Sequence, residues 1–129
     1  MSRSIAYNAR LEIVTKFANN QTYPAVTYYE SPFKLTNFFR LADGGIEYML
    51  MNASAGVMTG DNYNLKIELQ ENTKLLISAQ SFEKIHSMPN GQATRKTQIN
   101  LAANSSLIFT PLPSIPFANS AFITTTEIH

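Results

Sequence analysis

The chain has 129 residues, 44% of them hydrophobic, enough for one modest core and too few for two independent ones. Ten Lys and Arg against nine Asp and Glu leave a formal charge of +1, which gives no electrostatic ground for a nucleic-acid or acidic-membrane partner. The absence of cysteine excludes disulfides and thiolate metal sites, so any metal would need oxygen or nitrogen ligands.

Residues 1–17 carry Arg3, Arg10, Glu12 and Lys16 and no unbroken apolar run. That pattern fits neither a signal peptide nor a membrane span, and a cytoplasmic setting is expected. Within this stretch Tyr7, Ala9, Leu11, Ile13, Thr15 and Phe17 alternate with Asn8, Arg10, Glu12 and Lys16, which predicts a half-buried strand broken at Asn19-Asn20. A second strand is predicted over residues 26–30, stopping before Ser31-Pro32 because the residue ahead of proline is held out of the helical region. Asp43-Gly44-Gly45 signals a turn before Ile46, Tyr48 and Leu50, and Tyr63, Leu65, Ile67 and Leu69 alternate with Asn64, Lys66, Glu68 and Gln70. Residues 75–79 are more continuously apolar, as in a strand covered on both faces, and Asn90-Gly91 reads as a hairpin turn into a strand over residues 93–101. Residues 121–129 form a last β-prone run with no turn or polar tail after it, so the chain is expected to stop inside a strand whose neighbour comes from a partner or from missing sequence, with truncation preferred. No segment carries a convincing helical stripe, and the predicted class is all-β, one β-rich domain over residues 1–129.

Residues 67–78 (IELQENTKLLIS) can be laid over residues 99–110 (INLAANSSLIFT) at an offset of 32. Ile67/Ile99, Leu69/Leu101, Asn72/Asn104 and Leu75/Leu107 are identical. A strand, polar turn, strand unit that buries its apolar face by stacking on a copy of itself would give this repeat, and so would convergence of two ordinary turns.

Candidate chemistry is sparse. His86 and His129 lie far apart, without the spacing that sets two imidazoles on one metal, and a solitary surface role is the simpler reading of His86. The segment ASAGVMTGD holds Gly56, Gly60 and Asp61. It reads as an irregular turn with Asp61 bonding nearby amides, or as a carboxylate displayed to a cation or to a partner's lysine. It lacks the Lys-Ser/Thr of a phosphate-binding loop, and no serine has the flanking glycines of a nucleophile elbow.

Three stretches together resemble the UreD/UreH family of urease accessory proteins: Asn52-Ala53-Ser54-Ala55-Gly56-Val57-Met58-Thr59-Gly60-Asp61; Leu75-Leu76-Ile77-Ser78-Ala79-Gln80-Ser81 leading to Lys84; and Leu107-Ile108-Phe109-Thr110-Pro111-Leu112-Pro113-Ser114-Ile115-Pro116-Phe117. Departures fall at Ala55, where the family often has a second glycine, at Thr59, where it often has another small residue or glycine, at Ser78-Ala79, and at His86, where an aromatic is common. The resemblance implies a right-handed β-superhelix-like stack of short strands, incomplete at the C-terminal end and corresponding to the N-terminal half of a longer domain. It also implies a non-enzymatic scaffold that binds a UreF-type accessory protein, meets a UreG-type GTPase through it, docks on apo-urease and assists nickel insertion. No cofactor would be held tightly, and nickel would be handled transiently. Asp61 would be the candidate for nickel passage, Gln80 and Lys84 candidates for passage or docking, and Gly56, Gly60, Pro111 and Pro116 would shape the backbone. Two other classes remain as alternatives: a stand-alone β-rich protein-binding module without a metal role, and a hydrolase in which Asp61 and His86 converge.

Overall fold

The computed structural model describes residues 6–52, 56–79, 83–88, 91–110, 114–116, 118, 120 and 122–129, with the backbone alone at 83, 84 and 114–116. Twelve strands and no helix lie among them: β1 (Asn8–Ala18), β2 (Gln21–Tyr29), β3 (Phe33–Leu35), β4 (Phe39–Arg40), β5 (Ile46–Asn52), β6 (Asn62–Leu69), β7 (Lys74–Ala79), β8 (Glu83–Ile85), β9 (Ala93–Leu101), β10 (Ser106–Phe109), β11 (Ser114–Pro116) and β12 (Phe122–Ile128). The all-β class read from the alternation of side chains is the class observed.

Two five-stranded sheets face each other across the core. One runs β12, β9, β6, β1, β2; the other runs β10, β7, β5, β3, with β4 also beside β5. A short third ladder joins β8 to β11. Pairing is parallel from β1 through β6 and β9 to β12, and again from β5 through β7 to β10, whereas β2, β3 and β4 run antiparallel to their neighbours. From β6 onward, chain order therefore visits the three ladders in rotation. The strands β7, β8 and β9 make one turn around the core, and β10, β11 and β12 make the next, laid alongside the first.

This stacking accounts for the internal repeat. Ile67 lies beside Ile99, Leu69 beside Leu101 and Leu75 beside Leu107, so the 32-residue offset seen in the sequence is the strand register itself. The polar turn of each copy sits on the other as well: the Asn72 N–H donates to the Ala103 carbonyl at 3.1 Å, and the Ala102 N–H to the Leu69 carbonyl at 2.9 Å. Asn72 and Asn104 adopt φ of 65° and 58°, the left-handed region in which asparagine is tolerated because its side chain can bond locally. Convergence is thus replaced by a structural reason for the match.

Burial follows the predicted faces. In β6 Tyr63, Leu65, Ile67 and Leu69 are buried while Asn62, Asn64 and Lys66 are exposed. In β1 Ala9, Leu11, Ile13 and Thr15 point inward, although Phe17 emerges at the end and Val14 is buried from the outer side, next to a register shift against β2. The break at Asn19-Asn20 is a two-residue hairpin with both residues at positive φ (50° and 59°), and β2 begins at Gln21, earlier than the sequence suggests. The sheets are tied across the core by the edge-to-face contact of Phe33 and Tyr63, centroids 5.3 Å apart, and by hydroxyl pairs: Thr15 to Thr73 at 2.8 Å, Thr27 to Tyr48 at 2.7 Å. Burial raises the Tyr48 phenol above its usual pKa, with the Thr27 bond acting the other way.

Two expectations need correction. The strand after Asn90-Gly91 does not fold back on the one before it: β9 pairs in parallel with β6 and β12, while β8 pairs with β11. Glycine at 91 serves close approach to Thr59, whose Cγ2 would lie 2.4 Å from an added Cβ. Residues 75–79 are central in their sheet, but only Leu75 and Ile77 are buried; Leu76 and Ser78 are partly exposed, so this strand too is covered chiefly on one side.

Candidate functional site

The segment with two glycines and a carboxylate forms a clasp between successive layers of the stack. Gly56 and Gly60 sit at φ of 136° and 85°, where a side chain is strained, and a Cβ on Gly60 would stand 3.2 Å from that of Ala6. The turn between them closes with the Asp61 N–H donating to the Met58 carbonyl at 3.1 Å, and the Gly60 N–H donates outward to the Gln92 carbonyl at 2.9 Å. Val57 meanwhile bridges in parallel to Ile85, and its carbonyl accepts the His86 N–H at 2.9 Å.

Asp61 is not displayed to solvent; it is 1% exposed. Oδ1 accepts the Tyr7 N–H at 2.9 Å, and Oδ2 accepts the Met58 N–H at 3.0 Å and the Tyr63 hydroxyl at 2.6 Å. Its backbone carbonyl accepts the Thr94 N–H at 2.9 Å. One residue thereby fixes the entrance to β1, the loop before β6, β6 itself and the entrance to β9. The amide-bonding reading of this turn describes it; the displayed-carboxylate reading does not. A cation at this carboxylate would have to compete with three donors already in place, at hydrogen-bond strengths typical of charged acceptors.

The other sequence candidates disperse. Lys84 lies in β8 opposite Ile115, and Pro116 lies in β11 opposite Ile85. Gln80 and Pro111 fall outside the described residues. Among the described residues no three His, Cys, Asp or Glu side chains gather where they could hold a metal ion, and no helix is long and apolar enough to cross a membrane.

What sequence reasoning missed is a groove at the β10/β12 end of the stack, a cavity of about 580 Å³ between the two main sheets. Phe33, Leu50, Leu107, Phe109, Phe122 and Ile128 line it. Arg95 points inward here, its guanidinium 5.1 Å from the Phe122 ring centroid and 5.9 Å from that of Tyr63. The inward Arg95 could have been read from its phase, two residues from the core positions Ala93 and Thr97 on β9. Tyr7 and Tyr63 gave no such signal, because nothing in their spacing reveals a bond to Asp61.

Comparison with known proteins gives the same direction throughout. The model of the UreD urease accessory protein family matches residues 7–129. The urease accessory protein UreD of Acetivibrio thermocellus is 39% identical over 128 residues, covering 98% of this chain and 49% of that protein. The urease accessory proteins UreH of Helicobacter pylori strain P12 and of Helicobacter hepaticus are 37% and 34% identical, over 95% and 98% of this chain and 47% and 50% of theirs. The chain spans about half the length of the curated relatives it matches.

Proposed function

This chain belongs to the UreD urease accessory protein family, and from that premise we propose that it acts in urease maturation as a non-catalytic scaffold. In this reading it binds a UreF-type accessory protein, is linked through it to a UreG-type GTPase, and docks on apo-urease while nickel, the cargo, is inserted into the urease active site. The observation that carries the reading is identity of 34–39% with named urease accessory proteins over nearly the whole chain. A cargo ion that must be released is best met by oxygen ligands that hold it loosely, and a sequence with no cysteine and two histidines suits that demand. Passage of nickel by Asp61, and docking or passage by Gln80 and Lys84, form part of the proposal.

The test is co-expression of this chain, and of a full-length UreD relative as positive control, with UreF-type and UreG-type proteins and apo-urease. Pull-down and nickel-dependent urea hydrolysis are the readouts, with Asp61→Asn, Gln80→Ala and Lys84→Ala carried alongside. Co-purification with the UreF-type protein or with urease supports the scaffold role. If the full-length control assembles while this chain touches no component under conditions where it is folded, the scaffold role is wrong for this chain, and a protein-binding module without a metal role takes its place.

A further inference from the structure

A cavity of about 340 Å³ opens at the corner of the stack where the turns lie on one another, and residues 17–74 supply all of its walls but one, Asn104. We propose that it binds a neutral polyhydroxylated molecule of monosaccharide size. Three features carry the proposal: walls fixed from behind, hydrogen-bonding groups left over once the fold is satisfied, and an aromatic ring beside them.

Backbone bonds hold the walls. The Thr22 N–H donates to the Gly44 carbonyl at 2.9 Å, the Lys74 N–H to the Thr22 hydroxyl at 2.9 Å, and the Gly45 N–H to Asp43 Oδ1 at 2.9 Å. From outside, the Arg40 guanidinium donates to the carbonyls of both Thr22 and Gly44 and lies over the Tyr23 ring, 4.7 Å from its centroid. A Cβ on Gly44, at φ of 88°, would stand 3.2 Å from the Asn20 carbonyl oxygen, so the Asp43-Gly44 turn sits directly on the Asn19-Asn20 hairpin. A ligand entering here meets a site already formed, and little ordering of the protein is charged against its affinity.

What these bonds leave over lines the cavity. The carboxamides of Asn20, Asn72 and Asn104 make no hydrogen bond to protein groups among the described residues, and each carries both donors and an acceptor. The Thr22 hydroxyl is 1% exposed; it accepts from Lys74, and among the described residues its own proton has no acceptor. A buried donor in that state gains from any acceptor brought to it. Lys74 Nζ and Asp43 Oδ2 stand 3.8 Å apart, so their charges cancel and the site favours neither an anion nor a cation. Groups that both give and accept match hydroxyls, which do the same. Phe17 adds the apolar wall: it is 42% exposed at the cavity, whereas Leu11, Ile13 and Thr15 on the same strand face are buried. The C–H face of a sugar ring lies well against the negative face of such an aromatic. The volume falls near the lower end of ligand pockets, about 300–1,000 Å³, which suits a single ring and not a chain of them.

The test is a nuclear magnetic resonance titration of the isotope-labelled chain with D-glucose, with myo-inositol and, as the charged comparison, with inorganic phosphate, each at constant ionic strength and after circular dichroism has verified the β fold. The expected result is that glucose or inositol moves the amide resonances of Asn20, Gly44, Asn72 and Lys74 along one saturable curve, with a Kd of about 1–10 mM, while phosphate leaves them in place. Asn72→Gly and Asn20→Gly keep the left-handed backbone and remove a carboxamide, and each weakens binding about 3–10-fold. Phe17→Leu weakens it by a similar factor, about 3–10-fold. Sugar-induced shifts that are scattered over the surface and linear up to about 100 mM overturn the proposal. So does phosphate binding on the same resonances in preference to both neutral probes, which assigns the cavity to an anion. Folded Asn72→Gly and Asn20→Gly chains that bind as tightly as wild type also overturn it.

Discussion

Replacing Asp61 by Asn tests the claim that this carboxylate is a structural clasp. Among the described residues the native oxygens take donors from Tyr7 at Oδ1 and from Met58 and Tyr63 at Oδ2. An asparagine amide keeps one acceptor oxygen. Its favoured orientation sets that oxygen at the Oδ2 position, where it serves Met58 and Tyr63, and turns the NH2 toward the Tyr7 N–H, so that the bond made at Oδ1 is lost. Loss of that bond to a charged acceptor, with two donors now facing each other, costs about 1–3 kcal/mol. At about 4 °C of Tm per kcal/mol for a domain of this size, that is a fall of roughly 4–12 °C. Asp61→Ala strands all three donors and falls further, whereas Tyr63→Phe removes one donor cleanly and costs about 1–1.5 kcal/mol. The chain has no tryptophan, so unfolding is followed by far-ultraviolet circular dichroism in urea and on heating. Combining Asp61→Asn with Tyr63→Phe should show a coupling of at least about 0.5 kcal/mol between the two sites. An Asp61→Asn protein melting within about 1 °C of wild type, or strict additivity with Tyr63→Phe, would refute the clasp.

Two further outcomes follow from the stack. Asn72→Ala and Asn104→Ala should each lower stability by about 1 kcal/mol, because alanine gains nothing in the left-handed region, while the glycine substitutions at the same sites should be near neutral; urea midpoints distinguish them. Tyr48, whose phenol burial holds above the ordinary pKa, should make stability fall with rising alkalinity: the unfolded phenol ionises from about pH 10 upward while the folded one keeps its proton, so the contribution is complete below that pH and is lost above it. Tyr48→Phe should cost about 1 kcal/mol near neutral pH through its lost Thr27 bond, and its deficit against wild type should shrink as the pH passes about 10.

The strands were legible because one face of each is wet: Tyr63, Leu65, Ile67 and Leu69 against Asn62, Asn64 and Lys66 declare both period and side. The repeat was legible for a related reason, since parallel register sets Ile67 on Ile99 and identical neighbours pack alike. Pairing partners were hidden. A turn dipeptide such as Asn90-Gly91 favours a local reversal, but parallel layers connect through the third ladder, and nothing local distinguishes a hairpin from a corner. At the site, Gly56 and Gly60 announced special backbone, while the burial of Asp61 depended on Tyr7 and Tyr63, whose roles become visible only when β1 is laid beside β6. The groove depended on which strand ends each sheet, a property of the whole arrangement.

The parallel layering also sets how the molecule loses and regains structure. Joining β1 to β6 spans 54 residues and joining β6 to β9 spans 32, a difference worth only about 0.5 kcal/mol of closure entropy, so neither step dominates. Folding should proceed layer on layer from the β1/β2 hairpin, each completed layer serving as the template for the next. Amide protection in this chain should then decline in order from β6 through β9 to β12, a gradient in which hydrogen exchange reads the free energy of opening each layer.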